Sequence, residues 1–223
     1  MSHLPFPLFL VVALSFGASA TPSLAQSASG SAPLAPLTEA QAPTFSIGER
    51  WEFAYENALE PQKNERYSQT VASVDGGQAA LATNDRKTAS VLLDANGNLV
   101  KTASGSYEPS DVKLQFPLSV GKRWSLSYVY RSGTWTSQVD RTAKVVGVER
   151  IHTAAGDFDT FRIEQATSWS GASGNGGYGG SRETEWYAPA VGRIVRMDYE
   201  DQSPRQAPTT THVEMTGFRP VVP

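Results

Sequence analysis

A short pattern occurs twice in the chain, in segments 47–55 and 120–128. Both contain, in the same register, an aliphatic residue, a glycine, an Arg-Trp pair, an apolar residue two positions on, and a tyrosine. A second match, between segments 97–101 and 192–196, lies at the far end of each unit. Two matches in the same order predict one β-rich unit used twice. The duplication constrains the architecture and carries no direct information about chemistry.

Apolar and polar side chains alternate along the repeated segments. Trp51, Phe53 and Tyr55 point to one side of an extended strand, while Glu52 and Glu56 point to the other. Sheets twist by about 20–25° per strand, so a sheet of many strands must curl. The sequence therefore predicts an all-β fold with little helix. The predicted fold is a strongly curved antiparallel meander, half-barrel or barrel-like, of about ten strands in two similar halves.

The domain organisation follows from composition. A short apolar run at 8–16, followed by small residues, predicts a signal peptide over residues 1–25. Residues 26–44 consist mostly of Ala, Ser, Pro and Gln, which predicts a disordered tether. The rest, 45–223, is expected to be a single β domain built from two related units, 45–110 and 116–218. One of its predicted strands is 113–116.

Charge and cysteine content exclude several classes of partner. The formal charge is −3, so no basic field is available to recruit nucleic acid. The apolar run of about nine residues is too short for a membrane span, which needs about 20. The chain has no cysteine, which excludes disulfides and the acylated cysteine of a bacterial lipoprotein. We therefore expect a periplasmic or secreted protein with neither a membrane span nor a lipid anchor.

Two segments resemble an uncharacterised family of exported bacterial envelope proteins, a domain of unknown function. Segment 148–164 is similar to a strand that ends at an Ala-Gly-x-Phe turn and restarts as an aromatic-basic-Ile strand. Segment 185–196 is similar to the Trp-Tyr-x-Pro closing hairpin of that family. The resemblance implies a curved antiparallel sheet similar to the periplasmic lipoprotein carriers. It implies no catalytic residues, and this chain departs from the family in a Gly/Ser-rich insertion at 169–181.

Several motifs that could indicate a catalytic or cofactor site lack the required context. Segment 174–179 matches G-x-G-x-x-G, but a strand pattern follows where a dinucleotide site needs a helix. The surrounding stretch 171–180 is instead expected to be a flexible hairpin loop. Ser110 and Lys113 match Ser-x-x-Lys, but the neighbouring prolines argue against the helix that this motif requires. His152 and His212 lack metal-ligand spacing. We therefore predict no catalytic residue, no metal and no cofactor.

Aromatic residues are the one feature with potential for binding. Most are expected to pack in the core or at the rim of the sheet. The tryptophans of the repeated pattern, Trp51 and Trp124, are expected to be mostly buried on the inward faces of their strands. Some could line the concave face and hold an apolar or glycan ligand. The candidate ligand-binding residues are Trp135, Tyr178, Trp186 and Tyr187.

Three classes of function remain open at this point. The first is a non-enzymatic binding or scaffold module, whose partner would be an unknown envelope protein or an apolar or glycan ligand. The second is a carrier of an apolar ligand in the concave face, and the third is a hydrolase with an unrecognised site. A carrier needs a hollow interior, whereas a scaffold needs a filled one.

The leader predicts export with cleavage, and the site after Ala25 is favoured over the site after Ala20. N-terminal sequencing of protein recovered from outside the cytoplasm should therefore begin at Gln26. Recovery of the intact chain, beginning at Met1, from the cytoplasm of wild-type cells would contradict the prediction.

Overall fold

The computed structural model describes residues 37–171, 177–202 and 209–221. These ranges contain fourteen β-strands, two 3₁₀ turns at Pro61–Lys63 and Pro189–Val191, and no α-helix. No helix within them is long and apolar enough to cross a membrane. The strands are β1 Glu39–Ala40, β2 Arg50–Asn57, β3 Glu65–Asp75, β4 Gln78–Thr83, β5 Val91–Leu93, β6 Leu99–Lys101, β7 Ser106–Glu108, β8 Leu118–Ser119, β9 Arg123–Ser132, β10 Trp135–Thr153, β11 Gly156–Gly171, β12 Tyr178–Ala188, β13 Arg193–Gln202 and β14 Thr209–Arg219.

Twelve of these strands form one closed antiparallel barrel. Strands β2 to β7 and β9 to β14 follow one another around the wall in chain order, and β14 pairs with β2 to close it. The remaining two, β1 and β8, form a separate two-stranded sheet. The predicted all-β, strongly curved meander is confirmed, with twelve barrel strands in place of about ten. The predicted strand at 113–116 is wrong, and the short β7 was not predicted.

The two repeated segments have the same local structure. Gly48 and Gly121 both adopt positive φ, +93° and +90°, a region that glycine enters without a steric penalty. Their N–H groups donate to the carbonyl oxygens of Val71 and Val145, at 2.8 and 2.9 Å. Just beyond each valine the strand register shifts at a β-bulge. The internal duplication remains a hypothesis, and these matching turns support it.

Trp51 and Trp124 occupy the inner face of their strands and are 0% and 6% exposed. The indole Nε1 of Trp51 donates to Val191 O at 3.0 Å, and that of Trp124 donates to Val112 O at 3.2 Å. The prediction that both tryptophans are buried is therefore confirmed.

The strand register gives the barrel two different ends. At the closed end, where β10 turns into β11 and β12 turns into β13, the inward side chains form two apolar clusters. At the mouth, where β9 turns into β10 and β11 ends, the interior is open. The core at the closed end includes Trp51, Phe53, Leu81, Trp124, Val145, Phe161, Ile163, Tyr187, Val195 and Met215.

The structure differs from the expected tether and hairpin loop. Residues 37–44 were assigned to the disordered tether, but Glu39 and Ala40 pair with β8 and Ala40 is buried in the core. The stretch 171–180 was expected to be a flexible loop, but Gly171 ends β11 and residues 178–180 begin β12. Residues 1–36, which include the predicted signal peptide, and residues 172–176 lie outside the described ranges.

Replacing Trp51 or Trp124 by Ala should lower the free energy of unfolding by about 3–5 kcal/mol, because each change opens a core cavity. It also leaves a buried carbonyl oxygen without its donor. Urea titration followed by circular dichroism measures the loss. Ile47→Ala is the control, since Ile47 is 63% exposed and should change stability by no more than about 0.5 kcal/mol. A loss below about 1 kcal/mol for either tryptophan would contradict the packing described.

Candidate functional site

The mouth of the barrel encloses a chamber of about 580 Å³. This volume lies within the range of pockets that bind small molecules, about 300–1,000 Å³. Its lining combines aromatic rings, hydroxyl groups and charged side chains. The lining residues are Tyr55, Leu99, Tyr107, Asp111, Lys113, Tyr128, Tyr130, Trp135, Ser137, Val139, Arg141, Thr167, Trp169, Ser181, Glu183, Met197, Tyr199 and Thr211.

Aromatic rings form the upper wall of the chamber. The Tyr107 ring packs against those of Tyr128 and Tyr130, with centroids 6.0 and 5.1 Å apart. The indoles of Trp135 and Trp169 meet edge to face at 6.2 Å. These contacts restrict the side-chain rotamers of both groups, so the wall presents pre-organised aromatic surfaces.

The floor of the chamber is made by residues 109–117, which we call the plug segment. It leaves the wall after β7 and crosses the interior, where Ser110, Asp111, Val112 and Leu114 are buried. Hydrogen bonds to β6 and to its preceding turn hold one side of it. Asp111 N donates to Leu99 O at 2.8 Å, and Leu99 N donates to Asp111 Oδ1 at 2.8 Å.

The opposite side of the plug segment is held by a buried charge network. The Lys113 ammonium donates to carboxylates on neighbouring inward positions of β12, Glu183 and, at 2.5 Å, Glu185. Arg141 of β10 donates to Glu183 Oε1 at 3.0 Å and to Gln165 Oε1 at 2.9 Å. The Gln165 amide in turn donates to the Lys113 carbonyl oxygen at 3.1 Å and to Glu185 Oε2 at 2.5 Å. Each charged group in this network therefore has an opposite partner.

Opposite charges outweigh burial at the ion-paired groups. Burial acts to lower the pKa of Lys113, but Glu183 and Glu185 raise that pKa well above its usual range. Burial acts to raise the pKa of Glu183, but Lys113 and Arg141 hold it below its usual range. At Glu185 burial dominates, and Glu183 adds to it, so the pKa is raised despite Lys113. Burial likewise raises the pKa of Asp111.

This arrangement is suited to binding. Lys113, Arg141 and Glu183 are held in their ionised forms, so they present fixed hydrogen-bond donors and acceptors to the chamber. Glu185, whose pKa is raised, is 0% exposed and does not line the chamber. In the described residues, no group of three or more His, Cys, Asp or Glu side chains is arranged to hold a metal ion.

The structure does not bring the four predicted ligand-binding residues together. Trp135 lines the chamber. Tyr178 is 67% exposed at the start of β12. Trp186 lies on the outer face of β12, where its Nε1 donates to Glu149 Oε2 at 2.8 Å. Tyr187 is 1% exposed and packs in the core at the closed end, because adjacent residues of a strand point to opposite faces.

The charged residues of the chamber were not predicted from the sequence. A usable signal was present at Arg141, which lies between Val139 and Ala143 on the inward period of β10. A charged residue on the apolar period of a long strand indicates a buried polar site. Glu183 and Glu185 carried a weaker signal, because the alternation in Arg182-Glu183-Thr184-Glu185 is polar on both faces.

No protein-family model matches the chain, and no curated protein matches it. Among solved structures, a provisionally assigned lipoprotein from Parabacteroides distasonis is similar over 81% of this chain and 99% of its own, with 12% identity and a TM-score of 0.46. The hypothetical lipoprotein YmcC of Escherichia coli is similar over 78% of this chain and 87% of its own, with 12% identity and a TM-score of 0.45.

A provisionally assigned exported protein from Bacteroides fragilis with a YmcC-like fold is also similar, over 81% of this chain and 100% of its own. Its identity is 11% and its TM-score 0.40. Two of these neighbours are described as lipoproteins. The expectation that this chain lacks a lipid anchor remains a prediction.

The raised pKa of Glu185 predicts a pH dependence of stability. A carboxyl group whose pKa is higher in the folded state binds its proton more readily there, so folding is favoured as pH falls through the folded pKa. The free energy of unfolding should therefore rise as pH is lowered from about 8 to about 5. Asp111 adds to this rise, and the opposing loss at Glu183 falls below this window because its pKa is lowered.

Glu185→Gln should reduce this rise, because the amide cannot titrate. Urea titrations at about pH 8 and about pH 5 measure this rise in the free energy of unfolding. Glu56→Gln, on the outer face of β2, is the control for the loss of an acidic side chain. An unchanged slope in Glu185→Gln would show that another group carries the pH dependence.

Proposed function

We propose that the protein is a non-enzymatic binding protein that holds a small polar ligand in the mouth of its barrel. The observation that carries this proposal is the chamber of about 580 Å³, with an aromatic wall and a charged, hydrogen-bonded floor. A closed barrel of this kind positions inward side chains rigidly, which is favourable for binding a small molecule.

The same geometry weighs against the other classes. A pure scaffold has no use for an unfilled interior, since empty space forfeits packing contacts. A carrier of an apolar ligand needs an apolar floor. Here the plug segment brings Lys113 and Asp111 to the floor of the chamber, and the adjoining strands add Arg141 and Glu183. A hydrolase needs a proton donor or acceptor poised to exchange a proton at the reacting atoms, and three of these four groups are held ionised.

We also propose that the protein works outside the cytoplasm, in the periplasm or after secretion. The apolar leader and the following Ala/Ser/Pro segment support this location. A ligand available in that compartment could enter the chamber directly from the aqueous phase.

Filling the chamber should abolish binding. Ser137 lines the chamber, and the next residue of β10, Gln138, points outward. Ser137→Trp should therefore exclude the ligand, whereas Gln138→Trp should not. Each protein is incubated with the low-molecular-weight fraction of a bacterial extract, and retained molecules are identified by native mass spectrometry.

The wild type and Gln138→Trp should both retain a small molecule that Ser137→Trp does not retain. Thr211→Trp, which fills the chamber from β14, serves as a second blocking variant if Ser137→Trp does not fold. Retention of the same molecule by a folded blocking variant, or retention of none by the wild type, would refute a binding role for the chamber.

A further inference from the structure

We infer that the ligand is a neutral saccharide, held against the paired indoles of Trp135 and Trp169 and hydrogen-bonded to the floor. This inference rests on the proposed binding function and names the chemical class of the ligand. It depends on the charge balance of the floor, the hydroxyl groups of the wall and the seating of the two indoles.

The floor favours a ligand without net charge. The charged residues that line the chamber are two cations, Lys113 and Arg141, and two acids, Asp111 and Glu183. Because the ammonium and guanidinium groups are already paired with Glu183, an anionic ligand would have to be desolvated without gaining an unpaired opposite charge. The Asp111 carboxyl accepts from Leu99 N, and burial raises its pKa, which disfavours the charged form that a cationic ligand would need. A sugar hydroxyl can both donate to a carboxylate and accept from a cation, so it fits this floor.

The walls favour a ligand with many hydroxyl groups. Four short hydroxylated side chains from four strands line the chamber, namely Ser137, Thr167, Ser181 and Thr211. A hydroxyl group both donates and accepts hydrogen bonds, so these side chains can pair with the hydroxyls of a bound polyol directly or through water.

The aromatic residues favour a ligand with flat, weakly polar faces. A pyranose ring presents its C–H groups on one face and its hydroxyls around its edge, so it can pack on an indole while its edge remains hydrogen-bonded. Two tryptophans and several tyrosines occupy the upper wall. A long acyl chain could also contact these rings, but it would then end on charged groups.

Glycine residues position the two indoles. Gly179 lies directly across from Trp169 on the neighbouring strand, and a Cβ placed on Gly179 would lie 2.4 Å from the Trp169 ring. A Cβ on Gly171 would lie 2.4 Å from the Trp135 ring. Only glycine leaves the space for each indole to lie over the opposite backbone, so Gly171 and Gly179 have a positioning role.

The test is binding of the purified full-length protein to a glycan array that carries neutral and acidic saccharides. Affinities are then measured by titration calorimetry and tryptophan fluorescence with the best neutral array ligand, tetragalacturonate, palmitate and choline. The variants are Trp169→Ala and Gly179→Ala. Gly147→Ala is the matched control, since it lies in β10 with open space around its added Cβ.

We expect a neutral saccharide to bind the wild type and Gly147→Ala with equal affinity. Trp169→Ala and Gly179→Ala should bind it at least about tenfold more weakly, with an unchanged circular dichroism spectrum. If a neutral saccharide binds both variants as tightly as it binds the wild type, the paired indoles are not its binding surface. Binding of only tetragalacturonate, palmitate or choline would overturn the saccharide class and leave the binding function intact. Binding of none, together with an empty wild type in the extract experiment, would overturn both proposals.

Discussion

The pairing of Lys113 with two carboxylates of β12 determines how the interior of this barrel is divided. An ammonium group inside a protein is strongly unfavourable unless it is paired and hydrogen-bonded. Glu183 and Glu185 lie on successive inward positions of one strand, so their carboxylates converge on one cation. This contact anchors the plug segment across the barrel. Above it the chamber remains open, and below it lie the apolar clusters of the closed end and a smaller cavity of about 210 Å³.

The two halves of the barrel share their glycine turns but differ in the strands that form the chamber. The first half contributes β5, β6 and β7, each only three residues long. The strands at the same places in the second half are β12, β13 and β14, and they have 11, 10 and 11 residues. The short strands cannot reach from the mouth to the closed end, so the plug segment occupies the interior beside them. The acidic partners of Lys113 and its neighbour Arg141 all come from the longer second half.

The sequence was sufficient to predict the fold class, because a period of two and glycine turns are local properties. Trp51 and Trp124 were correctly predicted to be buried for the same reason. Part of the plug segment, 113–116, was predicted as a strand because polar and apolar side chains alternate in Lys113-Leu114-Gln115-Phe116. Alternation alone does not distinguish a strand from an extended segment inside a barrel. Trp186 and Tyr187 were proposed together, yet consecutive residues of β12 point to opposite faces. The charge network could not be predicted, because its hydrogen-bonded members on different elements are 20 to 72 residues apart in the sequence and meet only after the barrel closes.

The position of the polar network argues that it is kept for function. Replacing a buried ion pair by apolar residues of similar volume is often neutral or stabilising, so such a network is weak evidence for a stabilising role. The apolar clusters at the closed end already contain both repeated tryptophans and the valines beside the two β-bulges, Val71 and Val145. Most of the apolar burial that stabilises the fold therefore lies away from the charged network. An open chamber whose floor is polar and whose wall is aromatic has its physical rationale in contact with a ligand that has both characters.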